Sequence, residues 1–165
     1  MESHGKKREN CLECLKEEYK KIQQKHNLPS FEVLNEDFGI EKIELETDYL
    51  IREVRKYMAD KLANYLRFVE TLLNPSNVPI FVFSIIKTMG SEEMNKLKEI
   101  YKKLANKEVE LVSLDLIFDE KKEVEFVKDT YKLWQEIKEE LGGVMEIIKS
   151  NLNSKFEVNN KGYFN

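Results

Sequence analysis

Two cysteines and two histidines, His4, Cys11, Cys14 and His26, fall within the first 26 residues. Cys11-Leu-Glu-Cys14 has the spacing shared by zinc sites and dithiol redox sites, since two sulfurs three residues apart can reach one metal ion or each other. With the two histidines, the donor set of a Cys₂His₂ zinc site is present. The spacing of apolar residues over 9–26, with Cys11, Leu15, Tyr19, Ile22 and His26 on one stripe and Leu12 beside it, predicts a helix there. On such a helix His26 lies about 18 Å along the axis from Cys14, at about 1.5 Å per residue. A zinc–nitrogen bond is about 2 Å, so one helix cannot supply all three ligands. No strand precedes the motif and no βαβ pattern surrounds it, which argues against a thioredoxin-like dithiol. Both thiols are expected to be small packing residues, with no metal and no cofactor.

Carboxylates offer the next chemistry. Glu-x-x-His, the pair that builds di-iron centres in helical bundles, is absent, because position 23 is glutamine and nothing suitable precedes His4. Glu41-x-x-Glu44, Glu120-x-x-Glu123 and Glu136-x-x-Glu139 match half of the metal-binding pattern of helical nucleotide pyrophosphohydrolases, but no Glu-x-x-Asp follows any of them. Between residues 31 and 50, seven acids (Glu32, Glu36, Asp37, Glu41, Glu44, Glu46, Asp48) face Lys42 alone. This stretch lacks EF-hand spacing and reads as a solvated connection held down by Ile40, Ile43 and Leu45. Arg52, Arg55 and Lys56, on adjacent turns, are the candidates for binding an anion, with the acids of 31–48 as their competing partners. There is no glycine-rich phosphate loop and no nucleophile elbow.

The elements that would position these groups are helical. Only six glycines and three prolines punctuate 165 residues, of which 41% are apolar and 35% charged. A β-sandwich needs many more turn residues than that. Thr47–Asn74 carries Leu50, Val54, Met58, Leu62, Leu66, Val69 and Leu73 at intervals of three and four, with Thr47 and Asp48 as caps and Pro75 as a stop. Ser30 and Gly39 bracket a short helix with Phe31, Leu34 and Phe38 inward. Ser91 caps another helix, and Asp119 opens Glu120–Leu141, which Gly142-Gly143 ends or kinks before a short helix over 144–152. Ile80 to Ile86 and Val109 to Phe118 suit a helix or a strand, and the helix is preferred for both. The expected fold is all-α, an irregular bundle of five to seven helices around one long central helix. It forms a single domain over 1–165, frayed at 1–8 and 153–165.

Two stretches, LPSFEVLNEDFGIEKIE (28–44) and IREVRKYMADKLANYLRFVETLLNP (51–75), resemble a family of small archaeal helical proteins without assigned function, and FDEKKEVEFVKDTYKLW (118–134) is similar as well. The resemblance implies an archaeal source and a shared helical domain. It brings no activity and no site residues.

The net charge of −4 argues against a dedicated nucleic-acid binder, because polyanion affinity comes from neutralised phosphates. The opening MESHGKKREN lacks the apolar core of a signal peptide, and no apolar run reaches membrane-spanning length. A cytoplasmic protein is expected. Ile80, Phe81, Phe83 and Ile86 project around most of a helix's circumference and are the candidates for an interface. The function expected is a non-catalytic helical interaction or scaffold protein forming a homo-oligomer. A nucleic-acid-associated regulator using the basic start and Arg52, Arg55 and Lys56 is the first alternative, and a metal-dependent helical hydrolase the second.

Overall fold

The computed structural model describes residues 3–44, 49–76 and 79–161, and the side chains of these except 3–11, 81 and 154–161. Six α-helices and one 3₁₀ turn follow one another, and among the described residues there is no strand. They are α1 (Ser3–His26), α2 (Phe31–Phe38), the 3₁₀ turn Ile40–Lys42, α3 (Leu50–Leu73), α4 (Ile80–Ile86), α5 (Ser91–Leu116) and α6 (Glu120–Lys161). The fold is an all-α helical bundle. Its chain divides into two compact units, one made of Met1–Leu62 with Lys107–Lys132 and the other of Ala63–Asn106 with Leu133–Asn165. Helices α3, α5 and α6 each give one part to each unit.

In the first unit, α1 ends where Asn27 turns left-handed at φ 53°, a conformation asparagine tolerates, and the Leu28 N–H reaches back to the Gln23 carbonyl. Ser30 then caps α2, its hydroxyl oxygen accepting from the Val33 N–H, and Gly39 closes it at φ 68°, where a side chain would be strained. Leu15 and Tyr19 of α1 pack with Phe31 and Leu34 of α2, all at least nine-tenths buried. The Tyr19 and Phe31 rings meet edge to face at 5.7 Å, and the Tyr19 hydroxyl donates to the Pro29 carbonyl at 2.7 Å. Burial, with Glu32 nearby, pushes the Tyr19 phenol far above its ordinary range. Ile40 and Ile43 are buried as expected and anchor the acidic connection; Leu45 lies outside the described residues, as do the caps Thr47 and Asp48. Val54, Met58 and Leu62 of α3 complete the core with Val124, Phe126 and Val127 of α6.

In the second unit, Val69 and Leu72 of α3 join Leu97, Ile100 and Leu104 of α5 and Trp134, Ile137 and Leu141 of α6 in the core. The Tyr65 ring lies 5.0 Å from Trp134. Lys103 bonds Glu140 at 2.8 Å, and the Asn151 amide donates to the Thr88 carbonyl at 2.8 Å, tying α6 to the turn after α4.

Three expectations need correction. Gly142-Gly143 neither ends nor kinks a helix: α6 runs through both for 42 residues, longer than α3 with 24, because the buried stripe Leu141, Val144 and Ile148 continues across them. The proposed short helix over 144–152 is part of it. Residues 3–8 and 153–161 lie within α1 and α6, and residues 1–2 and 162–165 lie outside the described residues. Ser91 is the first helical residue and not the cap. Gly90 takes that place, its carbonyl accepting from the Met94 N–H and its own N–H donating to Glu93 Oε2 at 2.8 Å.

Candidate interaction surface

Of the three anion-binding candidates, Arg55 is turned inward. It stands on α3 between Val54 and Met58, in the apolar stripe itself, with 1% of its side chain exposed. Its Nη2 lies 2.7 Å from Asp115 Oδ1 of α5, and its Nε lies 2.6 Å from Glu123 Oε2 of α6. Arg52 stands 3.7 Å from the same Asp115 oxygen, and Lys56 pairs with Glu53 on its own helix. The acids that meet Arg55 and Arg52 therefore come from α5 and α6. Neither of these two acids comes from the 31–48 segment expected to supply them; its Glu41 is tied to Asn35. Glu123 is fully buried, and that burial pushes its carboxyl above the usual range, against the opposing pull of Arg55 and Arg52. Arg55 and Glu123 are closed to a ligand, while Asp115 and Arg52 keep part of their surface in water. The chemistry of this cluster is internal charge compensation.

The interface candidates behave differently. Helix α4 contains no charged residue, so its apolar side chains must either reach the core or meet water. Val82 is buried, Ile86 half-buried, Ile80 85% exposed and Phe83 42% exposed; the Phe81 side chain lies outside the described residues. Seven residues make two turns, too few to hide apolar groups on all sides.

A second apolar surface escaped the sequence reading. In the first unit, Val109, Val112 and Leu116 lie on one face of α5 at 68%, 58% and 79% exposure, followed by Ile117 at 76%. Leu114, on the opposite side, is buried. The intervals of three and four among Val109, Val112 and Leu116 are visible in the sequence, but they run beside Leu111 and Leu114, so the pattern alone does not say which side faces the core. Tyr49 and Phe118 adjoin the end of this face, their rings 4.6 Å apart.

The remaining motifs stay apart from one another. Cys11 and Cys14 are both on α1, with Cys14 exposed and carrying a free thiol. His26, twelve residues on, puts Nε2 at 3.0 Å from Glu120 Oε1, which Lys25 also reaches at 2.7 Å. Hydrogen bonds from these two residues hold the Glu120 carboxyl below its ordinary value. Glu120 and Glu123, one turn apart, thus face different partners and do not converge. Glu136 approaches Lys103 at 3.7 Å. Among the described residues no three His, Cys, Asp or Glu side chains form a group able to hold a metal ion, and no helix is long and apolar enough to cross a membrane. A cleft of about 290 Å³ lined by Asn64, Tyr65, Phe68, Leu141 and Met145 is apolar and holds no pair of groups for acid–base work. Comparisons with protein-family models, with curated proteins and with solved structures find no match.

Proposed function

We propose that the protein is a non-catalytic helical interaction protein that assembles with a second copy of itself through α4. The observation that carries this reading is a helix without charge whose Ile80 and Phe83 stand in solvent while Val82 faces the core. Exposed apolar patches on a soluble chain mark interaction sites. A twofold contact reuses one patch on both copies, and an uncharged helix meets its own copy without like-charge repulsion. The spread of carboxylates among structural ion pairs supports a binding role over catalysis. Light scattering should give a mass near 39 kDa, twice the chain's 19.6 kDa. Phe83→Glu should halve it with helicity unchanged. A wild-type mass of one chain at every concentration refutes the proposal.

A further inference from the structure

A different surface of the second unit has the makings of a docking groove. Between the first turns of α5 and the middle of α6 runs an open groove of about 620 Å³, within the range of ligand-binding clefts. Its floor is Val144, Ile147 and the bare backbone of Gly143; Val144 is buried, and Ile147 keeps 37% of its surface exposed. Its rim is acidic. Glu92 and Glu140 are neutralised by Lys96 and Lys103, at 2.8 Å each. Glu99 and Glu139 have no ion-pair partner among the described residues, so the rim keeps two uncompensated negative charges above an apolar floor.

The glycines supply the independent observation. Within a helix, glycine costs stability relative to alanine. Tight packing or a left-handed backbone would justify that cost, yet a Cβ at Gly142 or Gly143 meets nothing within 4 Å, and neither has positive φ. The chain's own packing therefore makes no use of the missing side chain. What the gap at Gly143 does provide is room for something outside the chain to come close to α6.

We propose that this groove receives a cationic amphipathic helix of another protein, its apolar face on Gly143 and Ile147 and its lysines or arginines against Glu99 and Glu139. Two flanking helices with an apolar floor suit helix-in-groove recognition, in which residues at i, i+3, i+4 and i+7 make the anchors. The charge selects the partner. A twofold contact of the groove with itself sets Glu99 and Glu139 among like charges, and an anionic membrane or a phosphate backbone meets the same repulsion. The groove is thus distinct from the self-association surface proposed for α4.

The test uses the full chain and a labelled 18-residue peptide of leucine and lysine with leucines in helical spacing, beside a peptide of identical composition in strict alternation. Fluorescence anisotropy should show saturable binding of the helical peptide, at least tenfold tighter than the alternating one. Gly143→Leu should weaken binding tenfold or more while raising Tm, because the added side chain fills the groove and favours the helix. Glu99→Lys with Glu139→Lys should weaken it as much and flatten its salt dependence. Phe83→Glu should bind the peptide as the wild type does, which separates this proposal from self-association. Absence of saturable binding, equal binding of both peptides, or binding that survives Gly143→Leu overturns it.

Discussion

Arg55 of α3 and Glu123 of α6 meet with Nε 2.6 Å from Oε2, and both side chains are shut off from water. The contact is an ion pair by distance only. Neither Glu123 oxygen nor Arg55 Nε has an aligned hydrogen-bond partner, so attraction here is not reinforced by directed bonds. Withdrawing two charges from water costs several kcal/mol each, and a pair in this geometry recovers that incompletely. A buried pair of this kind adds little net stability. Arg55→Met alone, which strands a buried carboxylate, should cost about 3–5 kcal/mol, while Arg55→Met with Glu123→Leu should recover most of the loss. Denaturant midpoints at unchanged slope measure both. A double variant no better than the single one would show that the pair itself is a main source of stability.

Glu123 also gives a pH dependence of definite sign. Its carboxyl is raised above the unfolded value, chiefly by burial, so the folded chain holds this proton more tightly than the unfolded chain does. The contribution of this site is fully present below the ordinary carboxylate range and is lost as pH rises through the raised value. Glu120, lowered by Lys25 and His26, runs the other way and loses its contribution on acidification. Glu123→Gln imitates the protonated acid and leaves Arg55 its Asp115 contact. It should therefore be at least as stable as wild type at pH 7, with the advantage vanishing in acid. A deficit at pH 7 that persists on acidification contradicts this sign.

Periodicity made the helices legible wherever one face was cleanly apolar, as with Leu15 and Tyr19 in α1 or Val54, Met58 and Leu62 in α3. Local chemistry fixed several ends as well: Ser30, Gly39 and Asp119 act where their side chains or backbone freedom require, Asp119 Oδ1 accepting from the Lys121 N–H at 2.9 Å. The run through Gly142-Gly143 was not legible, because a local penalty of about 1 kcal/mol per glycine is outweighed by buried neighbours that only the fold brings together. The Arg55–Glu123 pair leaves a trace in the sequence. Each charge sits inside an apolar stripe, Arg55 next to Val54 and Glu123 four residues before Val127, and opposite charges so placed on two helices point at each other. The exposed face of α5 could not be separated from its buried one, since both sides carry leucine, Leu114 buried and Leu116 exposed.

Leu62, 4% exposed on α3, tests that stripe directly. Leu62→Ala should cost about 2–5 kcal/mol, the range for deleting most of a packed leucine. A loss below about 1 kcal/mol, from chemical denaturation at constant slope, would show that the site closes over the gap or was never packed.

Leu114 and Leu116, two residues apart on α5, should respond in opposite ways to the same change. Leu114 is 6% exposed and Leu116 79%, the expected result of a turn of about 200° between positions i and i+2 of a helix. Lysine at 114 would bury an unpaired ammonium among apolar side chains, and such a group loses its charge or unfolds its surroundings. Lysine at 116 projects into water and should change stability by no more than about 0.5 kcal/mol. Thermal melts of the two variants separate these outcomes. The same proteins also decide between the two apolar surfaces. With α4 as the self-association surface, Leu116→Lys keeps the wild-type mass in light scattering and Phe83→Glu halves it. If Leu116→Lys alone yields a folded monomer, then Val109, Val112 and Leu116 form the interface and α4 does not.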